Sequence, residues 1–161
     1  MRLAVGSDEK THLTDTVVER LRGAGHQLQL FGPLSGEGQT WPTVARQVAE
    51  AVSEGRADEG VLFCWTGTGV ALAANKVPGV RAALCHDAET ARGARLWNNA
   101  NVLCLSLRAT SEAVAQEILL AWSETSYVPN PDDDGCLSQI DALEDAYRPR
   151  QKTTRPDEGP L

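Results

Sequence analysis

One short segment of the chain places a thiol and two hydroxyls beside two glycines. Cys64 ends an apolar run over residues 60–64, and Thr66-Gly67-Thr68-Gly69 follows. The glycines permit a tight turn, and a helix beginning near Val70 would direct unpaired N–H groups towards Cys64. That end of a helix favours thiolate over thiol. The segment therefore predicts a site in which Cys64 acts as a base or a nucleophile.

The alternative for Cys64 is a structural role. A free cysteine is most often a small buried apolar residue, and Cys64 stands at the end of a predicted strand. A packing residue does not require the glycine-alternating turn that follows, so the strand, turn and helix context favours the functional interpretation.

Composition limits the class of protein. The chain has 161 residues, 42% of them hydrophobic, which is the size and content of one domain with a core. A net charge of −7 argues against nucleic-acid binding but not against a small anionic ligand. The sequence shows no signal peptide and no membrane-spanning run, so we expect a cytoplasmic protein without a membrane partner.

The four cysteines do not form a metal-binding pattern. They are widely spaced, without a paired motif or a histidine cluster, so no metal site is predicted. Cys85 and Cys104 lie in apolar runs and are predicted to be buried packing residues. The role of Cys136 is left open.

Short apolar runs alternate with amphipathic segments along the chain. Strands are predicted over residues 2–7, 27–31, 60–64, 80–85 and 101–105, each followed by a helix. This alternation indicates an α/β fold, a Rossmann-like three-layer α/β/α sandwich with a five-stranded parallel sheet. Ligands bind such sheets beyond the carboxyl ends of the strands, where Asp8 and Cys64 would lie. The first strand lacks a dinucleotide fingerprint, so no nicotinamide or flavin cofactor is expected.

The end of the chain differs in composition from the rest. Residues 127–135 predict a loop, and residues 136–147 a C-terminal helix that completes a single domain over residues 1–147. Residues 148–161 have too little apolar content to pack and predict a disordered tail. A final helix beyond a long loop often docks on a second subunit, so we expect a homodimer or a higher homo-oligomer.

Several motifs together resemble one enzyme family. They are, in chain order, Gly6-Ser7-Asp8, Phe31-Gly32, Cys64-x-Thr66-Gly67-x-Gly69, Ala73-Ala74-Asn75-Lys76-Val77, Arg81-Ala82-Ala83-Leu84-Cys85-His86-Asp87, Asn98-Asn99-Ala100-Asn101-Val102-Leu103-Cys104-Leu105 and Ile140-Asp141. In these motifs the chain resembles the ribose-5-phosphate isomerase type B and galactose-6-phosphate isomerase family over roughly residues 1 to 147.

The resemblance implies a mechanism. Members of the family interconvert aldose and ketose phosphates without a metal or a cofactor, through ring opening and an enediolate intermediate. It assigns Cys64 as the base that moves the proton and Thr66 as a group that holds or relays a proton. The N–H groups of Gly67, Thr68, Gly69 and Val70 would stabilise the enediolate.

The chain departs from the family pattern at polar positions. The family usually carries histidine where this chain has Glu9, next to Asp8, and where it has Trp97, next to Asn98. The second histidine is the one that opens the sugar ring, and an indole cannot transfer a proton in its place. Arginines that bind phosphate are missing before Ile140, which leaves Arg108 as the candidate cation.

Two further departures add bulk. Trp65 stands where the family has glycine, and Trp41 stands where it has tyrosine. We therefore expect a smaller and more apolar pocket. The alternative for Trp41, Trp65 and Trp97 is filling of the core or of a dimer interface, since aromatic residues are common in both. Trp122 has core spacing on a helix and is interpreted as packing.

The sequence thus predicts a divergent sugar or sugar-phosphate isomerase or epimerase with Cys64 as base. Its substrate would be less charged or already open-chain, and not ordinary ribose 5-phosphate. One alternative is a non-catalytic member that binds a small carbonyl or sugar-like ligand, or a subunit whose paralogous partner completes the site. A third, less favoured, is weak isomerisation of ribose 5-phosphate with Arg108 as the phosphate ligand.

Overall fold

A parallel sheet runs through the centre of the molecule. In the computed structural model, which describes residues 1–147, its strands are β1 (Arg2–Ser7), β2 (Gln27–Phe31), β3 (Glu59–Cys64), β4 (Ala82–Leu84) and β5 (Val102–Ser106). The strands lie in the order β2-β1-β3-β5-β4, and each neighbouring pair is parallel. The register pairs Ser7 with Phe63 and Cys64 with Ser106, so the three central strands end at one edge.

Helices cover both faces of this sheet. They are α1 (His12–Gly23), α2 (Trp41–Ser53), α3 (Thr68–Ala74), α4 (Ala88–Asn98), α5 (Glu112–Glu124) and α6 (Pro131–Tyr147). Buried residues of α1, α4 and α5 pack on one face, and those of α2 and α3 pack on the other. The predicted three-layer Rossmann-like α/β/α sandwich is therefore confirmed.

Helix α2 lies unusually close to the sheet. A β-carbon placed at Gly6 would lie 2.5 Å from Cγ1 of Val44, and one at Gly60 would lie 2.8 Å from Cγ1 of Val48. The two glycines of β1 and β3 thus provide the room for the valines of α2. This contact fixes α2, and with it the helix start at Trp41, against the carboxyl edge of the sheet.

The turn between β3 and α3 depends on Gly67. This residue has φ of 75°, and a β-carbon there would lie 2.5 Å from Cδ1 of Leu84 and 3.0 Å from the carbonyl carbon of Leu105. Both the left-handed backbone and the close contact with another backbone exclude a side chain. Helix α3 then begins at Thr68, two residues before the predicted start.

Other predicted boundaries also differ from the structure. The Gly- and Pro-rich composition of residues 32–42 predicts a loop, yet Gly32–Ser35 form a short 3-10 helix and α2 begins at Trp41. Pro33 and Pro42 lie in the first turns of these helices, where a missing N–H costs nothing. Strand β4 spans Ala82–Leu84 rather than residues 80–85, because the turn through Gly79 delays its start.

The prediction of a loop over residues 127–135 is wrong in its second half. Helix α6 begins at Pro131, because Asn130 acts as its N-cap and exchanges hydrogen bonds with Asp133. Acidic side chains in the first turn also stabilise the helix, because they interact favourably with the positive end of its dipole. No residue of α6 is buried in the single chain. The predicted tail over 148–161 lies outside the described residues.

The predictions for the packing residues are confirmed. Cys85 and Cys104 are fully buried, and all four cysteines are free thiols. Trp122 is 4% exposed, and its Nε1 donates to Glu59 at 2.7 Å. Arg95 pairs with the same carboxylate at 2.6 Å and lies over the indole of Trp122. This network joins α4 and α5 to the start of β3.

Among the helices of residues 1–147, none has the length and apolar character needed to cross a lipid bilayer.

Replacing Gly67 should destabilise the fold more than replacing another glycine that has a similar positive φ. Gly36 has φ of 88°, but a β-carbon there would meet nothing within 4 Å. We expect Gly36→Ala to lower the free energy of unfolding by about 1–2 kcal/mol through backbone strain alone. Gly67→Ala should lower it by about 2–5 kcal/mol, since overlap with Leu84 and Leu105 is added. Urea unfolding measures both, and equal losses would show that the contact does not constrain the turn.

Candidate active site

The carboxyl ends of β1 and β3 open into a cavity of about 310 Å³. It combines a thiol, two hydroxyls, a carboxylate and two indoles. The lining residues are Asp8, Trp41, Cys64, Trp65, Thr66, Thr68 and Gly69. Seven of the positions predicted from the sequence therefore meet in one place.

Cys64 is held at this cavity by its own backbone and by the loop after β5. Its carbonyl oxygen accepts hydrogen bonds from the N–H groups of Gly67 at 3.2 Å and Leu107 at 3.0 Å. The next carbonyl, of Trp65, accepts from the N–H of Arg108 at 3.0 Å and from the hydroxyl of Ser106 at 2.9 Å. The turn that carries the thiol is therefore fixed on two sides.

The thiols differ in their surroundings. Burial raises the pKa of Cys85 to about 12 and raises that of Cys104 well above its usual value, so both remain protonated and inert. Cys64 is 5% exposed and lines the cavity. Cys85 and Cys104 do not line it. Of the three buried thiols, Cys64 is the one that a small molecule in this cavity could contact.

Polar groups of the following turn face the same space. The hydroxyls of Thr66 and Thr68 lie 2.6 Å apart, within hydrogen-bonding distance. The N–H groups of Thr68 and Gly69 belong to the first turn of α3 and have no acceptor among residues 1–147. These groups could donate to an anion or a carbonyl oxygen beside Cys64.

Asp8 adds a carboxylate with one oxygen that lacks a partner. Its Oδ1 is buried and has no hydrogen-bond partner in the described part of the chain. Burial raises the pKa of Asp8, a hydrogen bond from its own backbone N–H partly opposes this, and the nearby charge of Glu9 raises the pKa further. An unpaired polar atom of this kind is unfavourable in the free protein and is available to a ligand hydroxyl.

Two indoles form the apolar part of the cavity. Trp41 lies on Gly69, where a β-carbon would be 3.1 Å from its Cε3. Trp65 follows Cys64 directly and is 56% exposed. The expectation of a bulky, apolar surrounding at these two positions agrees with their placement.

The other predicted site residues do not reach this cavity within one chain. Trp97 and Asn98 line a separate cleft of about 1010 Å³ between β4, α4 and α6. The indole of Trp97 covers Gly93 of its own helix, where a β-carbon would lie 2.7 Å from its Cζ3. One chain therefore does not bring Trp97 together with Cys64.

The lining of the Cys64 cavity also lacks four other predicted site residues, which are Glu9, Gly67, Val70 and Arg108. The hydroxyl of Ser7 donates to the carbonyl of Glu9 at 2.6 Å and accepts from its N–H, which holds the Glu9 backbone in a tight turn. The side chain of Arg108 is exposed and makes no ion pair within residues 1–147. The N–H of Gly67 is committed to Cys64, so it cannot donate to a ligand as predicted.

Some supporting residues were not predicted. Ser106 holds the carbonyl of Trp65, and its position directly after an apolar run could have indicated such a role. Asn75 accepts from the N–H of Ala82 at 2.9 Å and donates to the carbonyls of Ala71 and Ala82, which joins α3 to β4. Asn75 lies in a matching motif, but the spacing alone did not show this contact.

Metal binding was not predicted. Over the described residues, no three side chains of His, Cys, Asp or Glu lie together in a way that could hold a metal ion. The absence of a metal or a cofactor from the reaction itself stays a prediction.

Comparisons with known proteins show the family to which the chain is similar. A family model described as Ribose/Galactose Isomerase matches residues 3–135. The D-erythrulose-4-phosphate isomerase of Pectobacterium atrosepticum is 36% identical over 129 residues, covering 79% of this chain and 85% of that protein. The galactose-6-phosphate isomerase subunit LacB of Clostridium acetobutylicum is 35% identical over 127 residues, covering 79% and 73%.

A solved structure extends the similarity to the whole fold. The ribose-5-phosphate isomerase B of Clostridium thermocellum superposes with a TM-score of 0.85 at 31% identity, covering 91% of this chain and 99% of that one. The five-stranded parallel α/β sandwich is therefore shared with that structure. The chain therefore belongs to the ribose/galactose isomerase family of sugar-phosphate isomerases, and it is an isomerase.

Proposed function

We propose that this enzyme interconverts the aldose and ketose forms of a short, open-chain sugar phosphate, with Cys64 as the base. The observation that carries the proposal is the cavity in which the thiol of Cys64 meets the hydroxyl of Thr66, the unpartnered carboxylate oxygen of Asp8 and the free N–H groups that begin α3. These are the groups that a proton transfer beside a carbonyl requires.

The reaction needs one proton to move between adjacent carbons. The thiolate of Cys64 removes the proton from the carbon next to the carbonyl, and an enediolate forms. The N–H groups of Thr68 and Gly69 stabilise the negative oxygen, while Thr66, hydrogen-bonded to Thr68, moves a proton between the two oxygens. Cys64 returns its proton to the neighbouring carbon, so no group is consumed and no oxidant is needed.

The substrate should not need ring opening. Trp97 stands where the family resemblance implies a ring-opening histidine, and it lies in another cleft of the single chain. In a tetrose 4-phosphate the oxygen that would close a five-membered ring carries the phosphate, so the molecule is acyclic. The erythrulose-phosphate isomerase among the relatives acts on such a compound by its name. We therefore propose D-erythrulose 4-phosphate, or a similar acyclic ketose phosphate, as substrate.

The phosphate requires a cation near the cavity. The backbone of Arg108 is bonded to the carbonyl of Trp65, and its guanidinium is exposed without an ion pair over residues 1–147. A single guanidinium can hold a phosphate through two parallel N–H donors. We assign this role to Arg108.

Replacing Cys64 tests the assignment of the base. We expect Cys64→Ala to lower kcat/KM for D-erythrulose 4-phosphate by about 10²–10⁴-fold, because no other thiol lines the cavity. Cys85→Ala removes a buried thiol away from the cavity and should leave kcat/KM essentially unchanged. A coupled assay with the purified chain measures both variants. Normal turnover by Cys64→Ala would contradict the mechanism, and rapid turnover of ribose 5-phosphate by the unchanged enzyme would contradict the substrate.

Replacing Asp8 should separate activity from stability. The pKa of Asp8 is raised in the fold, so its charge destabilises the folded state above that pKa, and the penalty disappears as the pH falls through it. Asp8→Asn should therefore raise the melting temperature at pH 7 while it lowers kcat/KM. The gain in melting temperature should vanish near pH 3.

Asp58 provides a control of opposite sign. Arg2 holds the pKa of Asp58 below its usual value, so its charge stabilises the fold above the ordinary pKa of an aspartate. Asp58→Asn should lower the melting temperature at pH 7 and leave activity unchanged. A loss of stability in Asp8→Asn at pH 7 would contradict the account of its unpaired oxygen.

We also infer a homodimer. Helix α6 buries none of its residues in the single chain, and Leu137, Ile140 and Leu143 line an apolar cleft with Trp97. Such a face is unusual for a monomer, and a second copy of the chain would cover it. The cleft also holds Trp97 and Asn98, so a partner could bring them to the Cys64 cavity of the neighbouring subunit.

A charge on this face should separate the subunits. We expect Ile140→Asp to sediment as a monomer with reduced activity in analytical ultracentrifugation and enzyme assays. Leu120→Asp is the matched control, since Leu120 is 55% exposed on α5, outside the cleft. A monomeric unchanged enzyme with full activity would contradict the proposal.

The second candidate function is a subunit of a hetero-oligomer. The relative LacB is named as a subunit, and Trp97 lies apart from Cys64 in one chain, so a paralogue could supply missing groups. An active dimer formed by this chain alone would contradict that alternative. An inactive chain that gains turnover with a paralogue would favour it.

A further inference from the structure

Trp41 forms one wall of the Cys64 cavity and covers the first turn of α3. A β-carbon at Gly69 would lie 3.1 Å from Cε3, 3.2 Å from Cδ2 and 3.4 Å from Cζ3 of the indole, so the ring faces Gly69 in van der Waals contact. Gly69 also carries one of the N–H groups without an acceptor in the described chain. The indole therefore limits the space beside a predicted anion-binding group.

The position of this wall is fixed by the fold. Trp41 is the first residue of α2, and Pro42 follows it with a restricted backbone. Three and seven residues further along, Val44 and Val48 contact the sheet where Gly6 and Gly60 leave room. The backbone that carries the indole is therefore held next to the first turn of α3.

The wall makes the cavity small. Its volume of about 310 Å³ is near the lower end of the range of roughly 300–1,000 Å³ found for ligand sites. Trp41 is 38% exposed, so part of its ring faces the solvent-side opening of the cavity rather than the core. The ring, Cys64 and Gly69 all line the cavity, so a ligand that binds the N–H of Gly69 shares this space with the ring.

We propose that Trp41 is a specificity-determining residue, and that its indole makes the site select a four-carbon over a five-carbon acyclic sugar phosphate. The proposal rests on the proposed function, since it assumes that a ketose phosphate occupies the cavity. One additional carbon with its hydroxyl needs space on the side that the ring closes. Sites discriminate against one additional carbon by about 10–200-fold when a wall excludes it.

Two ketose phosphates isolate chain length from ring opening. D-Erythrulose 4-phosphate and D-ribulose 5-phosphate are both acyclic, because phosphate occupies the oxygen at the end of each chain. The unchanged enzyme should prefer the four-carbon compound in kcat/KM. Trp41→Ala should shift the ratio of the two kcat/KM values towards the five-carbon compound by about 10-fold or more, and Trp41→Phe by less.

Trp65→Ala is the matched comparison. Trp65 lines the same cavity but is more exposed and does not cover Gly69, so its removal should change the ratio less than Trp41→Ala does. Trp41→Leu repeats the measurement with an apolar side chain if Trp41→Ala does not fold. A ratio that is the same in Trp41→Ala and Trp41→Leu as in the unchanged enzyme would overturn the proposal.

Binding without turnover gives an independent readout. The aldonate phosphates 4-phospho-D-erythronate and 5-phospho-D-ribonate carry a carboxylate where the enediolate would form, so both should inhibit competitively. We expect Trp41→Ala to lower the inhibition constant of 5-phospho-D-ribonate relative to that of the shorter inhibitor. Failure of the unchanged enzyme to act on either ketose phosphate would overturn the proposed function and this inference together. Turnover with an unchanged ratio and unchanged relative inhibition would overturn the inference alone.

Discussion

The site depends on the contact between the Gly67 turn and the backbone at the end of β5. Because Gly67 has no side chain, the turn can lie against Leu105, and the loop after β5 can then bond to the carbonyls of Cys64 and Trp65. These bonds hold the thiol at the carboxyl edge of the sheet. Helix α3 begins directly after the turn, at Thr68. The polar groups that face the cavity are therefore positioned by main-chain contacts, which are more rigid than a set of independent side chains.

Much of the fold was predictable because the sequence alternates consistently between short apolar runs and amphipathic segments. The location of Asp8 and Cys64 at one edge also followed, since parallel strands end on the same side. The placement of Trp97 did not follow, because it depends on how α4 and α6 pack. The unpartnered oxygen of Asp8 could not be predicted either, since a missing partner is a property of the folded surroundings and not of spacing.

The chemistry of the cavity combines few charges with many fixed dipoles. Its lining holds one carboxylate, of which one oxygen lacks a partner, and no Lys or Arg from the described residues, and the main chain of α3 supplies N–H donors. Such a site stabilises charge that develops during a reaction without binding a charged ground state strongly. Under the proposed function, the departures from the family pattern at Glu9 and Trp97 would alter how substrate is admitted and prepared, while the proposed proton-transfer centre around Cys64 would be kept.

The four tryptophans give the protein two separate optical signals. Trp122 is buried against Arg95 and Glu59, on the side of the sheet that faces away from the cavity, so its emission reports the integrity of the core. Trp41 and Trp65 are partly exposed at the cavity, so a ligand that displaces the water around them should change their emission. A quencher dissolved in the solvent reaches Trp41, Trp65 and the exposed Trp97 but not Trp122, so the core can be followed separately from the exposed indoles without a label.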